Sequence, residues 1–374
     1  MLITEAEVPL FDVAGAFEAV RAEALALFDR LLESGQLVLG PELRDFEARF
    51  AEYCGAGHCV GVSDGTSALE LALVALGIEP GTSVITVPNT FVAVAEAIDA
   101  AHARPTLVDV DPRTRCIDVG ALAAALDSDT AAVVPVHLFG RVAPMTDIVR
   151  ICSPAGVVVL EDAAQAHGAT HAGVRAGGFG DAAAFSFYPT KNLGAAGDGG
   201  AIVFRSEATA DAARSLRHHG SLPDQPNRHE RRGRSARLDN LQAGLLSMRL
   251  ARLDEENDQR RRAADVYRDL LGDLPLILPA ADGPQDRQVY HLFVIEVSER
   301  DRVLRALRRA GIGAAVHYPT PIHLQPAWRG LGYARGDFPV AEHLAEHCLS
   351  LPMFPGITEA QQVRVAEALR TALQ

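Results

Sequence analysis

The stretch FSFYPTKNLGAAGDGGAIVF, residues 185–204, decides the reading of this chain. An apolar run enters it, a lysine stands in its middle, and four glycines (Gly194, Gly197, Gly199, Gly200) precede a second apolar run. The pattern predicts a strand over Ala182–Phe187, a tight loop carrying Lys191, and a further strand over Ala201–Phe204. Loops at strand ends are where open α/β sheets hold their ligands. Lys191 is also the sole lysine among 35 basic residues, the rest being arginine. On a solvated surface the two cations exchange freely, but only lysine can lose its proton and form an imine with a carbonyl. Ser186, just before the loop, offers a hydroxyl to a phosphate.

Working outward, the first two-thirds of the chain alternate short β-rich apolar runs with helix-period segments, the pattern of a parallel sheet covered on both faces. The further strands predicted are His58–Val62, Ser83–Val87, Thr106–Val110, Ala131–Val136 and Val157–Leu160, with helices over Ser67–Leu76, Val92–Ala101 and Thr146–Ile151. The segment VVVLEDAAQAHGA (157–169) puts Asp162 just past a strand end. A carboxylate at the edge of a core needs a cationic partner, and a protonated pyridinium nitrogen is one. Gln165, three positions on, is placed to approach an oxygen substituent of the same ring. The alternative is that Asp162 caps a helix beside a solvated Glu161. In HCVGVSDGTSALELALVALG (58–77), a strand runs into Gly65, Thr66 and Ser67 and straight into a helix, whose free N–H groups suit a phosphate. An ordinary N-cap reads equally well there. Phe91, in VPNTFVAVAEA, offers an aromatic face to a planar ring or to the core.

Beyond Arg217 the character changes. Residues 218–237 form a polar loop dense in Arg and His; its Arg-rich part, 228–237 with Arg234, suits a nucleotide diphosphate or plain solvent. A long helix is predicted from Leu238 to Leu271, acting as a hinge into a smaller α+β region. Bulk numbers exclude several classes. With 48% hydrophobic and 22% charged residues the chain reads as globular. Its 48 acidic against 35 basic residues, a net −13, give no reason to expect nucleic acid. The N-terminus lacks the pattern of a signal peptide and no apolar run is long enough for a membrane span. The five scattered cysteines lack metal-ligand spacing, so free thiols, no metal site and a cytoplasmic location are expected.

Together, the order and spacing of these pieces resemble the DegT/StrS group of pyridoxal-phosphate-dependent sugar aminotransferases. The likeness runs from VPLFDV through VSDGTSALEL, VDVDP, VHLFG, FSFYPTKNLGAAGDGG and RLDNLQAG to VHYPTPIHLQPAW and LSLPMFP. It implies an α/β fold of the fold type I class, with a mainly parallel seven-stranded sheet in a large domain (1–245) and a small C-terminal α+β domain (246–374). Lys191 matches the lysine that binds the cofactor covalently, and Asp162 the partner of the pyridinium nitrogen. Gln165 matches the residue beside the ring oxygen and Phe91 the stacked aromatic. Gly65, Thr66, Ser67 and Ser186 match phosphate contacts. The resemblance also implies a homodimer with shared active sites, an amino donor that by family habit is L-glutamate, and a keto sugar, nucleotide-linked through dTDP or UDP, as acceptor. A keto-cyclitol acceptor and a non-catalytic regulatory role on the same scaffold are the alternatives; related sugar dehydratases carry His at the lysine position.

His317, Tyr318 and His323 fall in the part of the family bordering the substrate, with a structural role the alternative for each, and His137 lines the site or packs beneath it. Four departures stand out. Ser235 replaces an Asn that reaches the phosphate across the dimer, Asp64 a neutral residue, Phe354 a His and Trp328 a Tyr.

Overall fold

Seven apolar runs pair into one sheet in the computed structural model, which describes residues 7–222 and 225–374. Residues 1–6 of the N-terminal stretch, and 223 and 224 of the predicted 218–237 loop, lie outside the described residues. The strands are β1 (His58–Val62), β2 (Ser83–Thr86), β3 (Arg104–Leu107), β4 (Thr130–Val133), β5 (Val158–Asp162), β6 (Ala182–Ser186) and β7 (Gly200–Phe204). Their order is β1-β7-β6-β5-β4-β2-β3, and only β7 runs antiparallel to its neighbours. Nearly every residue of these strands is buried, which is why the runs are apolar throughout rather than alternating. The sheet is the mainly parallel, seven-stranded α/β architecture expected.

Several boundaries move, β4 among them, which spans Thr130–Val133 rather than Ala131–Val136. β3 starts and ends earlier than the predicted Thr106–Val110, and β5 runs on through Asp162, which is the strand's last residue rather than the one beyond it. Because strands β1, β2, β5 and β6 share one direction, their C-terminal ends open on the same edge of the sheet. That edge receives the site.

β6 shows how the sequence divides core from site. Successive side chains of a strand point to opposite faces. Phe185 and Phe187 therefore turn into the core, where their rings meet Phe50 edge-on at 4.9 and 5.4 Å and Phe187 meets Phe46 at 5.4 Å. Each fully buried Phe contributes about 1.5–3 kcal/mol. Ser186, between them, is left facing the open edge.

The predicted 238–271 helix is two helices, Asn240–Leu250 and Leu253–Leu271, broken at Ala251–Arg252. Three acidic residues (Asp254, Glu255, Glu256) occupy the first turn of the second, the favourable sign for a helix N-terminus. The break falls within the large core, and the second helix runs on from it into a second body of apolar packing. Leu246, Leu250 and Leu253 join the large core around the sheet. Ala263, Ala264, Tyr267 and Leu271 join a second core, with Phe293 and Ile295 of β8 (Phe293–Glu296), Leu349 and Leu351 of β9 (Cys348–Leu351), and Leu369. β8 and β9 pair antiparallel. Val8, at the other end of the chain, also packs in the second core and bridges to Ile312, so the N-terminal segment crosses to the smaller unit. Among the described residues no helix is long and apolar enough to cross a membrane, and all five cysteines are buried and free.

Candidate active site

Between the C-terminal ends of the strands and the smaller unit lies a cavity of about 530 Å³. The Lys191 loop forms one wall. It is pinned on several sides: Lys191 N–H donates to Tyr188 O at 2.8 Å, and the buried Asn192 amide donates to Asn257 Oδ1 and Val289 O at 2.8 and 2.9 Å. Arg249 reaches Gly194 O at 2.6 Å. Burial pulls the Lys191 amine down to about 8 from its ordinary 10.5, against the opposing charge of Asp162. A lysine in that state spends a useful fraction of its time neutral near physiological pH.

Asp162 lines the same cavity at the end of β5 and is only 6% exposed. Burial raises its proton affinity, opposed by the Ala164 N–H, which it accepts at 3.1 Å, and by the Lys191 charge. Glu161 is not the solvated neighbour of the alternative reading. It is wholly buried and accepts hydrogen bonds from the N–H groups of Gly177, Phe179 and Gly180 at 2.8–2.9 Å and pairs with His137 Nε2 at 2.8 Å. His137 itself accepts from Ala143 N–H through Nδ1 at 3.1 Å, so it packs beneath the site and does not line it.

Gly65 and Thr66 open the helix Gly65–Ala75 at the cavity floor, beside Ser186. A Cβ on Gly65 would sit 2.7 Å from Ser186 Cβ, and one on Gly200 would sit 2.4 Å from Asp64 O, so glycine is what lets the three strands close on this cradle. Ser67 departs from expectation. Its N–H donates to Asp64 Oδ1 at 2.7 Å and its hydroxyl to Oδ2 at 2.8 Å, so the side chain is turned into the helix cap and does not line the cavity. Asp64 does. Burial works to raise it, but the hydrogen bonds from the Ser67 N–H and the Ser63 and Ser67 hydroxyls outweigh this and hold it below the usual carboxylate range.

Phe91 lines the cavity 54% exposed, its ring 5.7 Å from that of Tyr318. Gln165 accepts the Phe139 N–H at 2.8 Å and donates to the Tyr318 hydroxyl at 3.0 Å. Burial and the Asp162 charge push the Tyr318 phenol up, against the Gln165 hydrogen bond. His317 also lines the cavity, with Nδ1 2.8 Å from Ser350 Oγ. His323 is a correction: it is fully buried away from the cavity, paired with Glu342 Oε1 at 3.0 Å, and holds the chain rather than a ligand.

Ser235 is exposed outside its own chain's cavity and accepts from Arg237 at 2.9 Å. Arg234 pairs with Glu70 at 2.6 Å and approaches Ser67 Oγ at 3.3 Å, on the far side of the cradle. Phe354 is buried behind the Lys191 loop. His291, Phe11 and Asp198 also line the cavity and were not singled out from the sequence; Phe11 and Asp198 lie in stretches that carry the family resemblance, but the first two come from chain segments remote from the Lys191 loop, where spacing alone does not point to the site.

The residues fit pyridoxal phosphate. A buried carboxylate that accepts one N–H among the described residues and is opposed in charge mainly by the lysine calls for a further cation, and the glycine-floored helix start calls for an anion. Among known proteins, the model of the DegT/DnrJ/EryC1/StrS aminotransferase family matches residues 18–370. The chain is 42% identical to the dTDP-3-amino-3,4,6-trideoxy-alpha-D-glucose transaminase of Streptomyces venezuelae, over 97% of this chain and 95% of that one. It is 41% identical to the "Pleiotropic regulatory protein" of Geobacillus stearothermophilus, over 97% of each. Of solved structures, S. venezuelae DesV in complex with a ketimine intermediate superposes with a TM-score of 0.94 at 42% identity, covering 98% of this chain and 99% of that one. With the family model spanning nearly its whole length, the chain belongs to the DegT/DnrJ/EryC1/StrS aminotransferase family.

Proposed function

We propose that this chain is a pyridoxal-phosphate-dependent aminotransferase that moves an amino group from L-glutamate to the ketone of a nucleotide-linked sugar, a dTDP- or UDP-keto-deoxysugar, in amino-sugar biosynthesis. The observation that carries the reading is the meeting, in one cavity, of the chain's sole lysine with a buried and under-partnered carboxylate. The S. venezuelae transaminase is named for a dTDP-linked amino sugar, and its likeness to this chain supports that acceptor class.

Bound pyridoxal phosphate supplies a carbonyl that exchanges amines and a ring that takes up the electron pair left when a Cα–H bond breaks. Asp162 would hold the proton on the ring nitrogen by its charge. Gly65, Thr66 and Ser186 would hold the phosphate, Phe91 would cover the ring face, and Gln165 would hold the side bearing the ring oxygen. Lys191 Nζ would take the donor's Cα proton as a general base and give a proton back as a general acid. The same groups serve both halves of the exchange, so donor and acceptor take turns and the kinetics are ping-pong.

The enzyme works as a cytoplasmic homodimer in which Ser235 and the Arg-rich 228–237 segment of one copy face the other's site. Their exposure outside their own chain's cavity supports this. A keto-cyclitol acceptor keeps the same chemistry. A regulatory role is favoured by the names of relatives alone, among them that of the Geobacillus protein. Pyridoxal phosphate and L-glutamate mixed with the purified protein separate the readings. Transamination is expected to bleach the visible band of the lysine-bound cofactor into that of the pyridoxamine form, and Lys191→Arg to fold yet show neither. A band that no amino acid moves, or turnover by Lys191→Arg, overturns the proposal.

A further inference from the structure

The cavity must take an amino donor that carries carboxylates and also a sugar that carries hydroxyls. Its lining among the described residues contains no arginine. Besides Lys191, whose amine is occupied with proton transfer, the lining groups able to donate from nitrogen include two imidazoles, His291 and His317. Both come from the smaller unit, across the cavity from the Asp162 end of β5.

Neither imidazole is fully partnered by the protein. His291 is only 4% exposed, its ring is stacked 6.0 Å from that of Phe11, and its buried Nδ1 has no hydrogen-bond partner. Nδ1 is closed off by its neighbours, whereas Nε2 is neither enclosed nor hydrogen-bonded within the protein, so it is the nitrogen through which this cavity-lining ring can meet a ligand. His317 is oriented by the wholly buried Ser350, whose Oγ meets Nδ1 at 2.8 Å; this leaves Nε2 for a ligand. Burial, with the Lys191 charge adding, pulls His317 down to about 4 and His291 well below its usual range, so the rings are neutral.

We propose that His291 and His317 form the subsite that reads the α-carboxylate of the amino donor, in the place where other sites use an arginine. The inference rests on the aminotransferase reading above. Its physical sense lies in the two substrates. Arginine only donates hydrogen bonds, whereas imidazole donates to a carboxylate and, through either nitrogen, donates to or accepts from a hydroxyl. One pair of rings thus accepts a charged donor in the first half-reaction and a neutral sugar ring in the second.

The test is single-turnover bleaching of the cofactor-loaded enzyme by L-glutamate and by γ-aminobutyrate, which is glutamate without its α-carboxylate. His291→Phe and His317→Phe are each expected to lower the second-order rate constant for glutamate by about 10- to 100-fold, the scale of a lost hydrogen bond to a charged group. The constant for γ-aminobutyrate should change far less, so the preference for glutamate collapses. His291→Gln and His317→Gln, which restore a donor, should recover part of that preference. Equal losses for both amines, or an unchanged preference, overturn the inference while transamination stands. A wild-type protein that reacts with neither amine overturns both.

Discussion

In cofactor-free protein the ammonium of Lys191 should lose its proton near pH 8, because burial pulls it down and Asp162 pushes back. Each pH unit is a tenfold change, so a lysine titrating at about 8 rather than 10.5 holds roughly 300-fold more neutral amine at pH 7. Only the neutral amine attacks a carbonyl, and the rate of covalent cofactor capture should follow it. The sign is that of a base made weaker: capture is slow in acid, climbs as pH rises through about 8, and levels off above. A brief exposure of the protein to pyridoxal phosphate at each pH, followed by borohydride reduction, fixes the label. Because the chain's α-amino group also titrates near pH 8, the label is counted on the peptide that carries Lys191, unambiguous in a chain with one lysine. Asp162→Asn removes the opposing charge, so its midpoint should fall below that of the wild type. A wild-type midpoint near 10.5, or one that rises in Asp162→Asn, refutes the account.

Two further outcomes follow from the same geometry. Asp64→Asn keeps a good helix cap while removing an ionised group from the phosphate cradle; cofactor affinity, read by fluorescence titration of the cofactor-free protein, should rise roughly fivefold, the scale of one screened charge, and weaker binding would contradict the cradle's electrostatics. Glu161→Gln puts an NH₂ among four groups that donate to the carboxylate; a loss of about 3–5 kcal/mol in denaturant unfolding is expected, and a loss below about 1 kcal/mol would mean those contacts carry little.

The sheet was legible because its strands are buried on both faces, so each appears as an uninterrupted apolar run whatever its tertiary setting. The 238–271 segment misleads for the opposite reason. No Gly or Pro marks the break at Ala251–Arg252, and apolar residues keep helical spacing through it, yet Leu250 and Leu253 answer to one core and Tyr267 to another. In the site, Lys191, Asp162, Gln165 and Ser186 were found because each lies within a few residues of a strand end on the sheet's open edge. His291 and Phe11 were not, since only the packing of the smaller unit and the N-terminal segment brings them there. His317 and His323 share one motif and part company in space, one lining the cavity and the other tied to Glu342. Spacing in an irregular segment does not fix which way a side chain faces. At Ser67 the other reading of its stretch, an ordinary N-cap, is the one that holds: its N–H goes to Asp64.

Glu161 and Asp162 put the distinction between structure and function into two adjacent residues. Both end β5, both are acidic and both are buried, and strand alternation sends them to opposite faces. On its face Glu161 meets three backbone N–H groups and an imidazole, which leaves it no capacity for a ligand. Asp162 meets one N–H among the described residues and otherwise the charges of Lys191, an amine that must itself become neutral to work, and of His137, which is already paired with Glu161. A carboxylate held so poorly destabilises the fold, and a sheet end that satisfies its neighbour completely had the means to satisfy this one too. The deficit is therefore what the ligand fills. In the function proposed above, a protonated ring nitrogen would supply Asp162 with the cation that burial demands and would free Lys191 from serving as its counter-charge.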